Sequence, residues 1–508
     1  MKYLMGIDCG GTVLKTSIFD LEGKERSTYG ITMPVTSLGA GRYERDAYLI
    51  ENSAYRSISG AISKAGIDPA EIAGIGLTGQ ANGLYMFKKD GTPVHSGVMS
   101  SDTRANDLVR KLYEDGTYER LLPILRQSIY AAQTPVLMAW FAKNEPEVIE
   151  QAEVCVTVKE YIRFLLTGQW AMEITEASVL SLLDQDKCCI SDDILDSFGI
   201  LKYKNRFPKR MLRSEEVGGT VTEHVAELTG LRPGTPVVGG LFDCTANTIS
   251  QGVIKEDQLC IVAGTWGMNN MITKQLIYSD HLFGSYLYCL PGTHQLMEGS
   301  ATSCSNLEWF INTFLKQQGM EFCGYGELNR MIVEEAKEES ALFFLPFIYG
   351  TNVDLDAKAA FIGLTGNDEI PEMLRAIYEG VVFAHMYHLE RLLKFVDPPA
   401  TIRASGGGSK SDVWMQMFSD AIGKEIEISE ADEVGTLGCA MMAGVGTGCY
   451  HDVYDAVERC VHIRKTYYPN PTKYQYYQKK YEIYLRILRV LDPLWKDIVS
   501  VVEIEQRI

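Results

Sequence analysis

The stretch "MGIDCGGTVLKTSIFDLEGK", residues 5–24, reads as two short apolar strands joined by a glycine-rich turn. Asp8 ends the first strand, where a carboxylate costs desolvation energy unless a cation or a hydrogen-bond donor meets it. Adjacent glycines, including Gly11, allow a ligand to approach the backbone closely, and Thr12 and Lys15 stand beside them. The stretch therefore predicts an anion site built on a β-hairpin.

Length and charge limit the classes of protein to which this chain could belong. Its 508 residues exceed what one hydrophobic core usually fills, so about two domains are expected. With 48 Lys and Arg against 66 Asp and Glu, the net charge is −18, which argues against nucleic acid or an anionic membrane as a partner. A polyanion such as ATP would have to be held by local backbone amides, a few cations and Mg²⁺.

The N-terminus and the cysteines predict where the protein resides. Met1 and Lys2 lead directly into a strand, and no apolar run is long enough to span a membrane. The 12 cysteines include no CxxC pair, only the vicinal Cys188 and Cys189, so neither a zinc site nor a disulfide framework is expected. The prediction is a cytoplasmic protein with reduced thiols that mostly serve packing.

Two further elements repeat or extend the opening pattern. Residues 258–276 again read as strand, turn with Gly and Thr, and strand, and Thr265 follows Thr12 by about half the chain. Residues 402–426 read as a strand, three glycines and an amphipathic helix, with Ser409 or Ser411 as its N-cap. Such a turn offers backbone N–H groups to a nucleotide, although it matches neither the Rossmann nor the P-loop motif.

In this order, the three elements resemble the FGGY family of carbohydrate kinases. "DCGGTVLK" (8–15) and "AGTWG" (263–267) are similar to the two phosphate motifs of the family, and "SGGGSKSDVWMQM" (405–417) to its adenosine motif. "TGQANG" (78–83) resembles the sugar-side motif, and "GGLFDCTAN" (239–247) the catalytic motif. The resemblance implies a duplicated ribonuclease-H-like α/β fold, as in actin-like ATPases. We expect lobes 1–248 and 249–508, with ATP and sugar in the cleft between them and sugar binding closing that cleft.

The resemblance also implies roles for particular residues. Asp243 would be the general base that accepts the proton of the attacking hydroxyl, and Asp8 would orient Mg²⁺. The residues expected to bind the sugar are Gln80, Asn82, Asp102, Arg104 and Asp243. Those expected to bind ATP are Gly11, Thr12, Lys15, Gly264, Thr265, Gly407, Gly408 and Ser411.

Each of these side chains also has a structural interpretation. Asp243 could be the N-cap of the helix that follows it, and Asp8 could form a buried ion pair with Lys15. Asp102 and Arg104 could be a charge at a helix N-terminus and a surface cation. The functional interpretation is favoured in each case, for Asp243 because the resemblance to the family motif and the chemistry of phosphoryl transfer agree.

The substrate expected from the resemblance is a ketopentose phosphorylated at its terminal hydroxyl. "SSDTRA" (100–105), "GTW" (264–266) and "SNLEWF" (305–310) resemble the L-xylulose kinases within the family, whereas Ala81 and Asn82 depart from their pattern. D-Xylulose, ribulose, 3-keto-L-gulonate, erythritol and glycerol therefore stay open as substrates. A non-catalytic actin-like ATPase or sugar sensor is the alternative from another class, and a homodimer is expected.

Overall fold

The computed structural model describes residues 2–317 and 324–505. These residues form two compact units, each assembled from three segments of the chain. Unit one contains residues 1–254, 272–295 and 431–462, and unit two contains residues 255–271, 296–430 and 463–508. The lobe boundary at residue 248 that we inferred from the sequence remains a proposal.

The main sheet of unit one has six strands, and it carries the opening hairpin. In spatial order its strands are Val217–Thr220, Pro236–Val238, Ile72–Gly79, Tyr3–Cys9, Val13–Asp20 and Glu25–Thr32. Tyr3–Cys9 pairs antiparallel with Val13–Asp20 and parallel with Ile72–Gly79. Almost all side chains of these three strands are buried, as expected for the centre of an α/β sheet.

The second main sheet carries the repeated hairpin. In spatial order its strands in unit two are His294–Ser300, Gly267–Thr273, Gln258–Ala263, Thr401–Ser405, Ile426–Ser429 and Ile463–Tyr467. Gln258–Ala263 pairs antiparallel with Gly267–Thr273 and parallel with Thr401–Ser405, so the strand neighbours of the two hairpins follow the same pattern.

Shorter strands and the helices complete the architecture. The remaining strands are Thr36–Gly39, Arg42–Arg45, Tyr85–Phe87, Gly97–Val98, Val154–Val156, Met172–Glu173, Leu183–Asp184, Cys189–Ile190, Met211–Leu212, Gly284–Leu287, Phe343–Leu345 and Ala360–Ile362. The α-helices are Ala47–Ala65, Asn106–Glu114, Thr117–Leu125, Thr134–Asn144, Pro146–Gln151, Val158–Thr167, Ile174–Val179, Asp192–Ser197, Glu223–Thr229, Asp243–Ser250, Cys304–Phe310, Tyr325–Arg330, Ile370–Leu392, Asp412–Ile422, Val434–Gly446, Val453–Cys460 and Pro471–Glu505. In the part of the chain that the structure describes, no helix combines the length and the apolar character needed to cross a membrane.

Side chains cap the N-termini of two helices. Asp46 accepts a hydrogen bond from a backbone N–H of helix Ala47–Ala65, which ends at a left-handed Gly66 with φ 63°. Ser411 caps helix Asp412–Ile422, which confirms one of the two predicted N-caps. The interpretation of Asp102 as a charge at a helix N-terminus is wrong, because the helix begins at Asn106 and the Asp102 carboxylate accepts the amide of Arg104 in the preceding turn.

Helix Val434–Gly446 packs directly onto the sheet of unit one because glycines remove the side chains between them. A methyl group at Gly6 would lie 1.9 Å from the carbonyl oxygen of Thr436, and one at Gly76 would lie 2.0 Å from that of Cys439. Distances this short are not tolerated between a Cβ and a backbone atom, so the helix backbone rests on the strands. This helix therefore belongs to the core beneath the opening hairpin.

We expect Gly76→Ala to lower the free energy of unfolding by about 1–3 kcal/mol, because an added methyl in a packed core forces the backbone to shift. Chemical denaturation followed by circular dichroism measures the change. Gly326→Ala is the matched control, since a methyl there meets nothing within 4 Å. Equal stability of the Gly76→Ala and control proteins would contradict the tight contact.

Candidate functional site

Two carboxylates of unit one lie close enough for the charge of one, Asp243, to raise the pKa of the other, Asp8. Asp8 belongs to strand Tyr3–Cys9, Asp243 begins helix Asp243–Ser250, and both keep part of their surface accessible. Burial and then the charge of Asp243 raise the pKa of Asp8 to about 7. Burial raises the pKa of Asp243 to about 6, although the amide of Cys244 donates to its Oδ1 at 2.7 Å. Both groups therefore change charge close to neutral pH.

The position of Asp243 in its helix distinguishes between its two interpretations, the general base and the helix N-cap. The N-cap of helix Asp243–Ser250 is Phe242, so the interpretation of Asp243 as the N-cap is wrong. As the first helical residue, Asp243 stands at the positive end of the helix dipole, which favours a carboxylate. Its side chain accepts a hydrogen bond from the next amide and remains partly accessible, as a base that meets a substrate hydroxyl must be.

The opening hairpin places Lys15 directly across from Asp8 in the antiparallel register. The Lys15 ammonium donates to both carboxylate oxygens of Glu433, at 2.9 and 3.1 Å, and is about one third exposed. Glu433 precedes helix Val434–Gly446. The N-terminal end of this helix therefore contacts the hairpin through the Glu433–Lys15 ion pair, in addition to the backbone packing described above. Lys15 forms a salt bridge with Glu433, and its charge also lowers the pKa of Asp8.

The turn between the two strands is exposed at Gly11 and Thr12 and is held from beneath by Arg45. The buried Arg45 guanidinium donates to the carbonyl oxygens of Gly10 and Gly11, and the amide of Met33 donates to that of Thr12 at 2.8 Å. The carbonyl oxygens of Gly10, Gly11 and Thr12 are therefore all hydrogen-bonded within the protein. The segment of residues 44–46 also resembles the family, but that resemblance assigned Arg45 no role, and the sequence carries no signal of its burial.

Of the predicted sugar-binding residues, Asp102 and Arg104 bind each other. The Asp102 carboxylate accepts hydrogen bonds from the Arg104 side chain at 2.9 Å and from the amide of Tyr43 at 2.7 Å. Arg104 also donates to Glu44 at 2.7 Å, and its side chain is only 2% exposed. The interpretation of Arg104 as a surface cation is therefore wrong. Its binding of sugar stays a prediction.

Asn82 retains unused hydrogen-bonding capacity, whereas both ends of the Gln80 amide have a partner, since its Nε2 donates to Met99 Sδ at 3.5 Å. Ser100 donates to Gln80 Oε1 at 3.3 Å, and the buried Asn82 donates to the hydroxyl of Tyr130. Asn82 Oδ1 is buried without a hydrogen-bond partner, and its backbone adopts φ 66°. Burial, followed by the charge of Asp243, raises the pKa of Tyr130, so this tyrosine stands near the predicted base. Tyr130 was missed by sequence reasoning because it belongs to none of the motifs.

A buried charge network lies behind Asp243. Lys159 donates to Glu173 at 2.8 Å and lies 3.7 Å from Glu160 and 3.9 Å from Glu176, and all four side chains are fully buried. Burial alone raises the pKa of Glu173, but Lys159 and backbone amides outweigh it and lower that pKa. Neither carboxylate oxygen of Glu176 has a hydrogen-bond partner. Burial, only partly offset by Lys159, holds its pKa well above the usual range.

In unit two, the repeated hairpin presents Gly264 and Thr265 at its turn. The amide of Gly264 donates to the carbonyl oxygen of Trp266 at 3.1 Å, and the Ser305 hydroxyl donates to that of Thr265 at 3.0 Å. The amide of Cys304 donates to the carbonyl oxygen of Gly264 at 2.9 Å. The turn is accessible, as a phosphate-binding backbone must be.

The three-glycine turn lies directly beside this hairpin. A methyl at Gly406 would lie 2.6 Å from the carbonyl oxygen of Ala263, and one at Gly408 would lie 3.0 Å from the Ala263 side chain. Gly407 faces open space. The hydroxyl of Ser411 donates to Asn329 at 2.8 Å while it caps the following helix. The structure thus brings together the unit two residues predicted to bind ATP.

The two halves of the chain match two domain models of one known protein family. Residues 3–250 match the N-terminal domain model of the FGGY family of carbohydrate kinases, and residues 259–447 match its C-terminal domain model. This chain belongs to the FGGY family of carbohydrate kinases. It is therefore a carbohydrate kinase with the two-domain, mixed α/β fold of actin-like ATPases, as predicted from the motifs.

Individual relatives match this FGGY kinase along almost its whole length. The L-xylulose/3-keto-L-gulonate kinase of Escherichia coli is 35% identical over 498 residues, covering 96% of this chain and 97% of the relative. A probable L-xylulose kinase of Pasteurella multocida is 34% identical, covering 97% and 99%. The crystal structure of a gluconate kinase from Lactobacillus acidophilus superposes with a TM-score of 0.89 at 24% identity, covering 98% of this chain and 99% of that one. At that identity the superposition shows the fold alone.

Proposed function

We propose that this FGGY kinase transfers the γ-phosphoryl group of ATP to the terminal hydroxyl of a ketopentose, with L-xylulose as the preferred substrate. The observation that carries the proposal is the full-length 35% identity with a kinase named for L-xylulose and 3-keto-L-gulonate. The second relative, named a probable L-xylulose kinase, supports the same substrate. 3-Keto-L-gulonate is the second candidate, because the name of the first relative includes it.

Asp243 is the proposed general base of this reaction. A carboxylate of raised pKa, partly accessible and at a helix N-terminus, can accept the proton of a sugar hydroxyl as the oxygen attacks phosphorus. We assign to the sugar the unused oxygen of Asn82 and the amide of Gln80, with Asp102 and Arg104 shaping the wall of that subsite. Hydrogen-bonding sites of this kind discriminate well against analogues that lack a hydroxyl.

The proposed nucleotide contacts use the accessible turns of each unit. In unit one we assign phosphate binding to Gly11, Thr12 and Lys15, with Lys15 leaving Glu433 when phosphate binds. In unit two we assign phosphate to Gly264 and Thr265. Gly407, Gly408 and Ser411 are assigned to the adenosine.

The residues around Asp8 suit a magnesium ion. Mg²⁺ prefers carboxylate oxygens and typically binds through one or two carboxylates together with substrate phosphates and water. Asp8 and Asp243 offer such oxygens, and nowhere in residues 2–317 and 324–505 do three or more His, Cys, Asp or Glu side chains form a metal cage. We propose that Asp8 holds Mg²⁺, which when bound would offset the charge of the phosphates.

The substrate proposal is tested by ADP release measured over a panel of sugars at saturating MgATP. The panel contains L-xylulose, D-xylulose, ribulose, 3-keto-L-gulonate, erythritol and glycerol. We expect the highest kcat/KM with L-xylulose. A higher value for glycerol or erythritol than for every ketopentose would overturn the substrate while leaving the kinase activity intact.

The pH dependence of the reaction should report Asp243. A base works only when ionised, and the pKa of Asp243 is raised to about 6, so activity is present above that pH and is lost as pH falls through it. We expect kcat/KM for the sugar to decline about tenfold per pH unit below pH 6. Initial rates between pH 4.5 and 8 measure the profile, with protein stability followed over the same range. A flat profile down to pH 4.5 would contradict the assignment.

A further inference from the structure

The segment of residues 239–242, which leads into Asp243, is held to the rest of unit one by hydrogen bonds at each of its residues. The amides of residues 239–241 all donate to backbone carbonyl oxygens, each at 2.9 Å. The amide of Phe242 differs, because it donates to a side chain, the hydroxyl of Thr175, at 2.9 Å. The backbone next to the proposed base therefore depends on one buried threonine.

The Thr175 hydroxyl is oriented toward that amide because its own proton is donated elsewhere. The hydroxyl donates to Glu173 Oε2 at 2.8 Å, and it has only one proton to give. Burial opposes the ionisation of Glu173, but Lys159 and backbone amides outweigh burial and lower its pKa. Glu173 is therefore a carboxylate that takes the Thr175 proton, and the Thr175 oxygen can only accept from Phe242.

Glu173 also reaches the segment by a second route. Its Oε1 accepts the hydroxyl of Ser214 at 2.8 Å, and the carbonyl oxygen of Ser214 accepts the amide of Gly240 at 2.9 Å. The side chains of Glu173, Thr175 and Ser214 belong to residues that are at most 1% exposed. Water therefore does not compete for these hydrogen bonds, and one carboxylate is linked to two points of the segment.

Two glycines bring the segment into direct contact with this network. A methyl group at Gly240, where φ is 83°, would lie 2.1 Å from the carbonyl oxygen of Leu77. A methyl group at Gly239 would lie 3.1 Å from Cγ of Glu173 and 2.3 Å from the carbonyl oxygen of Arg213. The backbone thus packs against its partners with no side chain between them, which is the arrangement that holds a functional group precisely.

We propose that Thr175 and Glu173 are positioning residues of the kinase reaction, which fix residues 239–242 and thereby the Asp243 carboxylate relative to the sugar hydroxyl. The proposal rests on the proposed function, in which Asp243 is the general base. Thr175 and Glu173 are fully buried, so they act through Asp243 and not on the substrate itself. Misplacing a catalytic group by about 1 Å can cost about 10²-fold in rate, so the effect of the network is on kcat.

Thr175→Val tests this role, because valine has the shape of threonine but neither donates nor accepts a hydrogen bond. We expect kcat for sugar phosphorylation to fall by about 10- to 100-fold, and the KM for MgATP to stay within about twofold of its normal value. Thr175→Ser keeps the hydroxyl and should restore kcat to within about threefold of the unmodified protein.

Thr229→Val is the matched control for loss of a buried hydroxyl. Thr229 is also buried, and its hydroxyl likewise donates to a carbonyl oxygen, that of Val225, and accepts from an amide, that of Leu231. These partners lie outside the network of Glu173. Thr229→Val should therefore lower the melting temperature as Thr175→Val does, while kcat stays unchanged.

A double-mutant cycle with Asp243→Asn separates positioning of the base from general loss of structure. In the Asp243→Asn protein no base remains to be positioned, so adding Thr175→Val should lower the residual rate by less than about twofold. Ser214→Ala breaks the second route and takes the place of Thr175→Val in the cycle if that variant does not fold.

The outcomes distinguish this role from the proposed function on which it rests. A folded Thr175→Val protein with normal kcat would overturn the positioning role while leaving Asp243 as the base. Equal fold losses from Thr175→Val with and without Asp243→Asn would overturn it as well. A normal rate in Asp243→Asn alone would instead overturn the proposed base, and the positioning role with it.

Discussion

Replacing Asp243 with asparagine should lower kcat for sugar phosphorylation by about 10²- to 10⁴-fold, the usual cost of removing a general base. Asparagine keeps the size of the side chain and its oxygen can still accept the Cys244 amide, which lies 2.7 Å from Oδ1. It cannot accept a proton from the substrate. Steady-state rates with the preferred sugar of the panel measure the effect.

Two measurements separate this effect from loss of structure. The melting temperature of Asp243→Asn should stay close to that of the unmodified protein, and ATP titration should give a similar dissociation constant because the nucleotide contacts lie in other residues. Asp243→Ala provides a second variant in which the capacity to hydrogen-bond is also lost. A folded Asp243→Asn protein that phosphorylates sugar within a few-fold of the normal rate would exclude the proposed base.

Replacing Lys159 with methionine should lower the free energy of unfolding by about 3–5 kcal/mol at pH 7, the usual cost of leaving a buried charge without its partner. Lys159 is the cation closest to Glu173 and also faces Glu160 and Glu176. Its loss leaves carboxylates that are fully buried and only partly compensated by Arg163, which binds Glu160. Urea denaturation of the full chain measures the change.

Glu176→Gln is the matched control for this network. The pKa of Glu176 is held well above its usual range by burial, so its folded form retains a proton that the unfolded chain loses. Its contribution to stability is therefore present at low pH and is lost as pH rises toward the folded pKa. Glutamine does not titrate, so this loss of stability with rising pH does not occur in the variant. We expect its free energy of unfolding at pH 7 to equal or exceed that of the unmodified protein. A severe loss in Glu176→Gln would mean that the carboxylate is ionised and paired.

The fold was predictable where local pattern determines structure. The hairpins at 5–24 and 258–276 and the helix capped by Ser411 follow from alternating apolar residues, turn glycines and a capping side chain, and each lies within a few residues of its predicted position. The packing of Val434–Gly446 under Asp8 was not predictable. The glycines that permit this packing, Gly6 and Gly76, lie in strands, where a glycine does not indicate which element packs against it.

The candidate site was predictable for residues in motifs and not for those that support them. Lys159 lies in an amphipathic pattern, where a lysine is expected to face solvent, and only the tertiary structure brings Glu173 to it. Arg45 ends the short strand Arg42–Arg45 and Tyr130 lies in a connecting segment, and in neither place does the residue type alone indicate burial or a partner. Asp102 and Arg104 were found as a pair of polar residues, but their mutual hydrogen bonds depend on a turn that spacing does not specify.

The late position of helix Val434–Gly446 in the chain has a consequence for synthesis. Residues up to 254 leave the ribosome long before the helix that their sheet requires, at typical elongation rates roughly 10–40 s earlier. During that interval, the sheet face that bears Gly6 and Gly76 is not covered by helix Val434–Gly446. Lys15 of the opening hairpin also lacks its ion pair with Glu433. The first unit therefore becomes complete only when nearly all of the protein has been translated.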